Sequence, residues 1–129
     1  MKSTSIAIIV AALLIGGAIL WSKGGGSTTE AASTGNVSLV DGKQIVAVNI
    51  QGDYAPKLTA AKAGMPTTLR MKSTGVISCA LALVIPSIGY RKNLALDGST
   101  DIELPPYKAG ETLRGICAMG MYSFAVRFE

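Results

Sequence analysis

Tyr122-Ser123-Phe124-Ala125-Val126-Arg127-Phe128, near the end of the chain, places a large apolar side chain at every second position. Tyr122, Phe124, Val126 and Phe128 share one parity, and Ser123, Ala125 and Arg127 take the other. A period of two is that of a β-strand with one face on a core. Thr67–Ser73 repeats the pattern, with Leu69 and Met71 on one face and Thr68, Arg70 and Lys72 on the other. Further runs rich in Val, Ile and Thr are Val37–Val40, Gln44–Gln51, Lys57–Ala63, Ser99–Leu104 and Glu111–Cys117. Val76–Ile85 is almost continuously apolar, as for a strand buried on both faces. Asp41-Gly42, Gly52-Asp53, Thr74-Gly75, Pro105-Pro106 and Ala109-Gly110 punctuate these runs as turns. Seven or eight short strands over residues 36–129 predict a single all-β domain, a β-sandwich.

Composition narrows the chemistry. The chain has 129 residues, two cysteines and no histidine. A Ser-His-Asp triad, a Cys-His pair and an imidazole metal ligand are therefore excluded. Two cysteines do not suffice for a four-cysteine zinc site or an iron–sulfur cluster within one chain. Net charge is +4, and the charges of residues 36–129 are scattered rather than striped, so nucleic-acid binding is not expected. Asp97, Asp101, Glu103 and Glu111 lie beside turns or on strand edges, where solvated carboxylates are ordinary. Tyr54, Tyr90 and Tyr107 stand next to Pro, Gly or a charge and read as loop or edge residues. An enzyme is not expected.

The beginning of the chain has another character. Lys2 and Lys23 bracket an uncharged stretch, of which Ile6–Trp21 is almost wholly aliphatic. As a helix the uncharged stretch spans about 30 Å, one hydrocarbon core. Trp21 falls where an interfacial aromatic is expected. A cleaved secretion signal is the rival reading, but no A-x-A site follows the apolar run. Residues 1–22 are thus expected to be a single N-terminal transmembrane helix, meeting the lipid bilayer through residues 6–21. The localisation this implies is the cell membrane, single-pass, with the domain on the extracytoplasmic side. Residues 23–35 (KGGGSTTEAASTG) read as a flexible linker. Asn36-Val37-Ser38 matches a glycosylation sequon, a short pattern that arises often by chance.

The segment Cys117-Ala118-Met119-Gly120-Met121 sets three sulfur residues at i, i+2 and i+4, and Cys79 lies in the apolar run Val76–Ile85. Thiolate and thioether together are soft donors that select Cu(I). Methionines also fill cores. Strand parity argues otherwise here, because Cys117, Met119 and Met121 share the parity of Ser123, Ala125 and Arg127, the face away from the core. A bulge at Gly120 would change that parity, and a tight turn there would bring the sulfurs together. An exported domain with two cysteines is equally the usual setting for a disulfide, worth about 3–4 kcal/mol across this span. Both readings require Cys79 and Cys117 to be neighbours, and spacing alone leaves them open.

From Val46 to Phe128 the chain resembles small bacterial cupredoxin-like (plastocyanin-like) domains that are tethered to the membrane or fused to membrane transport proteins. Gly52-Asp53-Tyr54-Ala55-Pro56 is similar to their G-x-Y-x-P segment, and Lys62-Ala63-Gly64-Met65-Pro66 to their K-x-G-x-P turn. Ser78-Cys79 resembles their Ser-Cys pair, and Ile85–Lys92 their I-P-x-x-G-x-x-K stretch. Asp101–Gly110 is similar to the strand and loop before their ligand segment, and Cys117–Met121 to their C-G-M-G-M end. The resemblance implies a Greek-key β-sandwich with a metal site at one end. By position, Cys79 takes the place of the first histidine of blue-copper relatives and Cys117 that of the thiolate. Met119 and Met121 fall where the later histidine and methionine would stand. Without imidazoles, blue-copper electron transfer is disfavoured and binding of Cu(I) is favoured.

The expectation is therefore a membrane-anchored cupredoxin-like domain, residues 36–129, that binds copper as Cu(I) for copper handling or delivery. Cys79 and Cys117 would be thiolate ligands and Met119 and Met121 thioether ligands. Gly120 would shape the loop, while Ile77, Leu81, Leu83 and Phe124 would keep water and oxidants away. A membrane metal transporter or a cuproenzyme is the expected partner. The alternatives are an electron-transfer cupredoxin and a structural or interaction sandwich stapled by a Cys79–Cys117 disulfide.

Overall fold

Alternation in the sequence becomes strand wherever one parity is apolar enough to line a core. The computed structural model describes residues 32–129. Ten strands follow in order: β1 (Val37–Val40), β2 (Lys43–Ile50), β3 (Tyr54–Ala55), β4 (Leu58–Ala61), β5 (Thr67–Thr74), β6 (Ala82–Ile85), β7 (Tyr90–Asn93), β8 (Asp97–Leu104), β9 (Thr112–Cys117) and β10 (Ser123–Phe128). One-turn 3-10 segments at Cys79–Leu81 and Pro86–Ile88 flank β6.

The strands form two five-stranded sheets, both mixed. The first has the order β1-β2-β5-β8, with β3 on β2; β2 and β5 are parallel and the other pairings antiparallel. The second has the order β4-β10-β9-β6-β7, with β4 and β10 parallel and the rest antiparallel. Their inner faces share one core. Val46, Val48, Ile50, Leu69, Met71, Ile102 and Leu104 come from the first sheet. Leu83, Ile85, Leu113, Phe124, Val126 and Phe128 come from the second. Each large side chain buried here contributes about 1.5–3 kcal/mol of transfer free energy. The exposed ion pairs Arg70–Asp101 and Lys43–Glu103 between strands are screened by solvent and contribute little. Apolar burial, not surface charge, therefore holds the sheets face to face.

The expected run Val76–Ile85 is not one strand. Val76 and Ile77 are exposed, Cys79–Leu81 is a 3-10 turn, and strand pairing begins only at Ala82. The physical reason is local. Ser78 caps the turn, its hydroxyl oxygen accepting the Ala80 N–H at 3.1 Å, which competes with an extended backbone.

The expected transmembrane helix (1–22), its bilayer contact (6–21) and most of the linker (23–35) lie outside the described residues. Among the described residues no helix is long and apolar enough to cross a membrane. Ser33 already pairs with β4: its N–H donates to the Leu58 carbonyl and its carbonyl accepts the Ala60 N–H, both at 2.9 Å. The Asn36 amide nitrogen donates to the Ala47 carbonyl and to Thr59 Oγ1, which turns the sequon asparagine inward.

Candidate metal centre

Strand register sends one end of both sheets to the same place. The last residues of β2, β5 and β9 and the first residues of β6, β8 and β10 meet there. Cys117 closes β9, opposite Leu83 of β6. Ala118-Met119-Gly120-Met121 is the loop from β9 to β10, fastened at its feet by Cys117 N–H to the Tyr122 carbonyl at 3.0 Å. Inside it the Gly120 N–H donates to the Cys117 carbonyl at 2.8 Å, with Gly120 at φ +72°, a conformation natural to glycine.

The loop corrects the parity argument. Cys117 lies on the inward parity of β9 with Leu113 and Gly115, and it is fully buried. The chain reverses before β10 begins, so the parity of Ser123 and Ala125 says nothing about Cys117. The tight turn at Gly120 is the alternative that the structure adopts.

Cys79 stands in the 3-10 turn, and its Sγ lies 3.3 Å from Cys117 Sγ, with both cysteines unbonded thiols. The two thiols differ. Burial pushes the Cys117 thiol up, but the backbone near Tyr122, the Cys79 thiol and the backbone near Met121 and Met119 together hold it below the ordinary thiol range. The hydrogen bond to Cys117 pushes Cys79 up, aided by burial and by the neighbouring charge. The pair thus carries its first negative charge on Cys117, which also accepts the Met121 N–H at 3.2 Å.

Met119 and Met121 sit in the loop beside this pair, but their side chains are 75% and 65% exposed. The structure therefore brings the two cysteines together and leaves both thioethers facing solvent. Of the expected shield, Leu83 and Phe124 are buried and Leu81 is partly buried against the core. Ile77 is 86% exposed and shields nothing; it lies in the loop ahead of Ser78, outside any strand.

One residue of this region escaped the sequence reading. Tyr54, expected in a loop or at an edge, is 1% exposed. Its hydroxyl donates to the Ala80 carbonyl at 2.7 Å, and its ring meets Phe124 edge-on, 5.0 Å between centroids. Burial, then the charge of the two thiols, pushes its ionisation far up, so the phenol keeps its donor proton. Its adjacency to Gly52-Asp53 and Pro56 masked this role; a two-residue strand is too short to show alternation.

The donor set fits a soft ion. Two thiols lie in contact, and the loop that follows Cys117 carries two exposed methionines, while among the described residues no three His, Cys, Asp or Glu side chains gather. Such sulfur-only chemistry suits Cu(I) better than zinc or a hard cation.

No family model matches the chain, and no curated protein matches it. Among the solved structures to which the fold is similar are two copper proteins. One is the metal binding domain of the Cu(I) exporting P-type ATPase CopA of Streptococcus pneumoniae D39, determined with Cu(I). The likeness covers 77% of this chain and 98% of that one, at 18% identity and a TM-score of 0.64. The other is a copper binding protein determined in solution in the apo form, with 77% and 100% covered, 24% identity and a TM-score of 0.66. At these identities the likeness establishes the fold.

Proposed function

We propose that this protein is a membrane-anchored, extracytoplasmic cupredoxin-like domain that binds Cu(I) for copper handling or delivery. The observation that carries the reading is the Cys79–Cys117 pair, unbonded at 3.3 Å at the loop end of the sandwich. Its support is the sulfur-only donor set and the likeness of the fold to domains described as binding copper. Cys79 and Cys117 supply thiolates, and Met119 and Met121 supply neutral thioethers from a loop exposed enough to meet an incoming ion. Two thiolates and no imidazole stabilise Cu(I) against Cu(II), which favours carriage of the ion over electron transfer. The role is binding rather than catalysis. A membrane metal transporter or a cuproenzyme is the partner class this role requires, and the apolar segment 6–21 holds the domain at the bilayer.

The test is Cu(I) titration of the full chain, reduced and in mild detergent without oxygen, against a competing chelator, with native mass spectrometry. The Met119→Ala/Met121→Ala double variant runs beside it. A single tightly held copper, weakened in the variant, supports the four-sulfur assignment. Absence of tight binding overturns the reading and leaves a disulfide-stapled interaction module, for which the proximity of the two sulfurs also provides. Equal affinity in both proteins removes Met119 and Met121 from the ligand set.

A further inference from the structure

Cys79 lies outside the strands, in a 3-10 turn of three residues. Nothing in so short a turn fixes a side chain by itself. Its place is set from the facing sheet, by bonds on both sides of it. On the preceding side, Ser78 Oγ donates to the Gly52 carbonyl at 2.6 Å while accepting the Ala80 N–H. On the following side, the Tyr54 hydroxyl donates to the Ala80 carbonyl at 2.7 Å. Gly52 and Tyr54 flank Asp53, which is itself paired with Lys57. Tyr54 is fixed in turn by Phe124, and Phe124 lies so close over Gly115 that a Cβ there would run into its ring. A line of contacts therefore runs from Gly115, two residues before Cys117, through Phe124 and Tyr54 to Ala80, next to Cys79.

We propose that Tyr54, together with Ser78, is a positioning residue of the sulfur site: it holds the Cys79 sulfur against Cys117 and so preorganises the pair for a soft metal ion. The inference rests on the metal reading above, but its consequence for the two thiols is measurable without metal. Partners that orient a metal ligand set the cost of organising it, and losing one lowers affinity by about 10–100-fold. A tyrosine buried merely as core would act through its ring, which phenylalanine retains. The hydroxyl is what reaches the turn.

The experiment compares Tyr54→Phe and Ser78→Ala with the unmodified full chain and with Leu104→Val. Leu104 is a buried residue at the opposite end of the sandwich, paired with Thr67. Two quantities are read beside the melting temperature. The first is affinity for Cu(I) alone against a chelator. The second is the equilibrium with oxidised glutathione, in which the two protein thiols become one disulfide and each glutathione disulfide becomes two thiols. That equilibrium constant is the effective concentration of Cys79 toward Cys117. Tyr54→Phe and Ser78→Ala are expected to lower both quantities, each by about tenfold. Leu104→Val is expected to lower the melting temperature alone. The proposal is overturned if both site variants keep the original effective concentration, or if Leu104→Val lowers it equally. Should the unmodified chain take up no Cu(I) while the site variants still lose effective concentration, the positioning role stands and the metal reading falls.

Discussion

At one end of the sandwich Gln44 is fully buried and uses its whole amide. Its nitrogen donates to the Lys62 carbonyl and to Thr67 Oγ1, both at 3.1 Å, and its oxygen accepts the Lys62 N–H at 2.8 Å. Tyr107 stacks on Phe128 near that end, and the Gly64 N–H donates to the Tyr107 carbonyl. At the other end Tyr54 and Ser78 make the same kind of bond, side chain to loop backbone, around Cys79. Both ends leave apolar surface in water, Leu39 and Val40 beside Gln44, and Val76, Ile77, Leu96, Met119 and Met121 at the end of the sulfur pair; only the second set includes sulfur side chains. One device thus serves two purposes. Around Gln44 it closes an end and contributes stability. Around Cys79 it steadies two thiols beneath a loop whose two methionines are exposed to water.

Substitutions can break or sharpen that contrast. The largest effect is expected at Gln44→Ala, which strips the Lys62 backbone of its partner and opens a cavity. Buried unsatisfied groups cost about 1–3 kcal/mol each, so unfolding free energy should fall by about 3 kcal/mol in denaturant titration. Cu(I) affinity should stay unchanged; a loss there would show that the two ends are not independent. Cys117→Ser should reverse the pattern. Loss of a thiolate should weaken Cu(I) binding by more than the roughly 100-fold upper range of outer-shell changes, in chelator competition, with the fold kept by circular dichroism.

A smaller effect is spectroscopic. Cys117 is held below the ordinary thiol range and Cys79 above it, so the reduced, metal-free pair should ionise in two steps that straddle that range. The sign follows for stability. The Cys117 contribution is full above the ordinary thiol value and is lost as pH falls through its lowered one. The Cys79 contribution is full below the ordinary value and is lost as pH rises through its raised one. Far-ultraviolet thiolate absorbance against pH tests this, and a single step would dissolve the pair. Proton release on metal binding should decline accordingly, from about two per ion at low pH to about one between the steps. The smallest effect is expected at Ile77→Ser. So exposed a side chain should move stability by less than about 0.5 kcal/mol, in sharp contrast to Gln44.

How far the sequence disclosed all this follows from the range of the forces involved. Alternation in Thr67–Ser73 and Tyr122–Phe128 is a local signal, and β5 and β10 arise there with the expected faces inward, while Gln44–Gln51, expected only as a strand-like run, forms β2. The division into two mixed sheets depends on long-range pairing, such as β2 with β5 in parallel, and no local pattern announces it. Val76–Ile85 misled because its apolar content is shared between solvent at Ile77 and core at Leu83 and Ile85, with Ser78 imposing a turn between them. Cys79 and Cys117 stood out as residue types, and their approach to 3.3 Å required only that both readings of the pair demand proximity. Tyr54 stood out as part of a segment but not for its role at the turn, because its partner is the backbone carbonyl of Ala80, distant in sequence and invisible as a side chain.

The loop Ala118–Met121 has one more consequence. Its feet are set by the Ile116↔Ser123 pairing and the Cys117–Tyr122 bond, so the sheet holds its shape whatever hangs between them. The loop is in effect an interchangeable cassette on a rigid frame. On the metal reading proposed above, lengthening it, or exchanging its thioethers for imidazoles, would retune the ion chosen and its redox character while the strands beneath kept their register. A scaffold built this way lets ligand sets diversify by changes of four or five residues, without the chain having to rediscover how to fold.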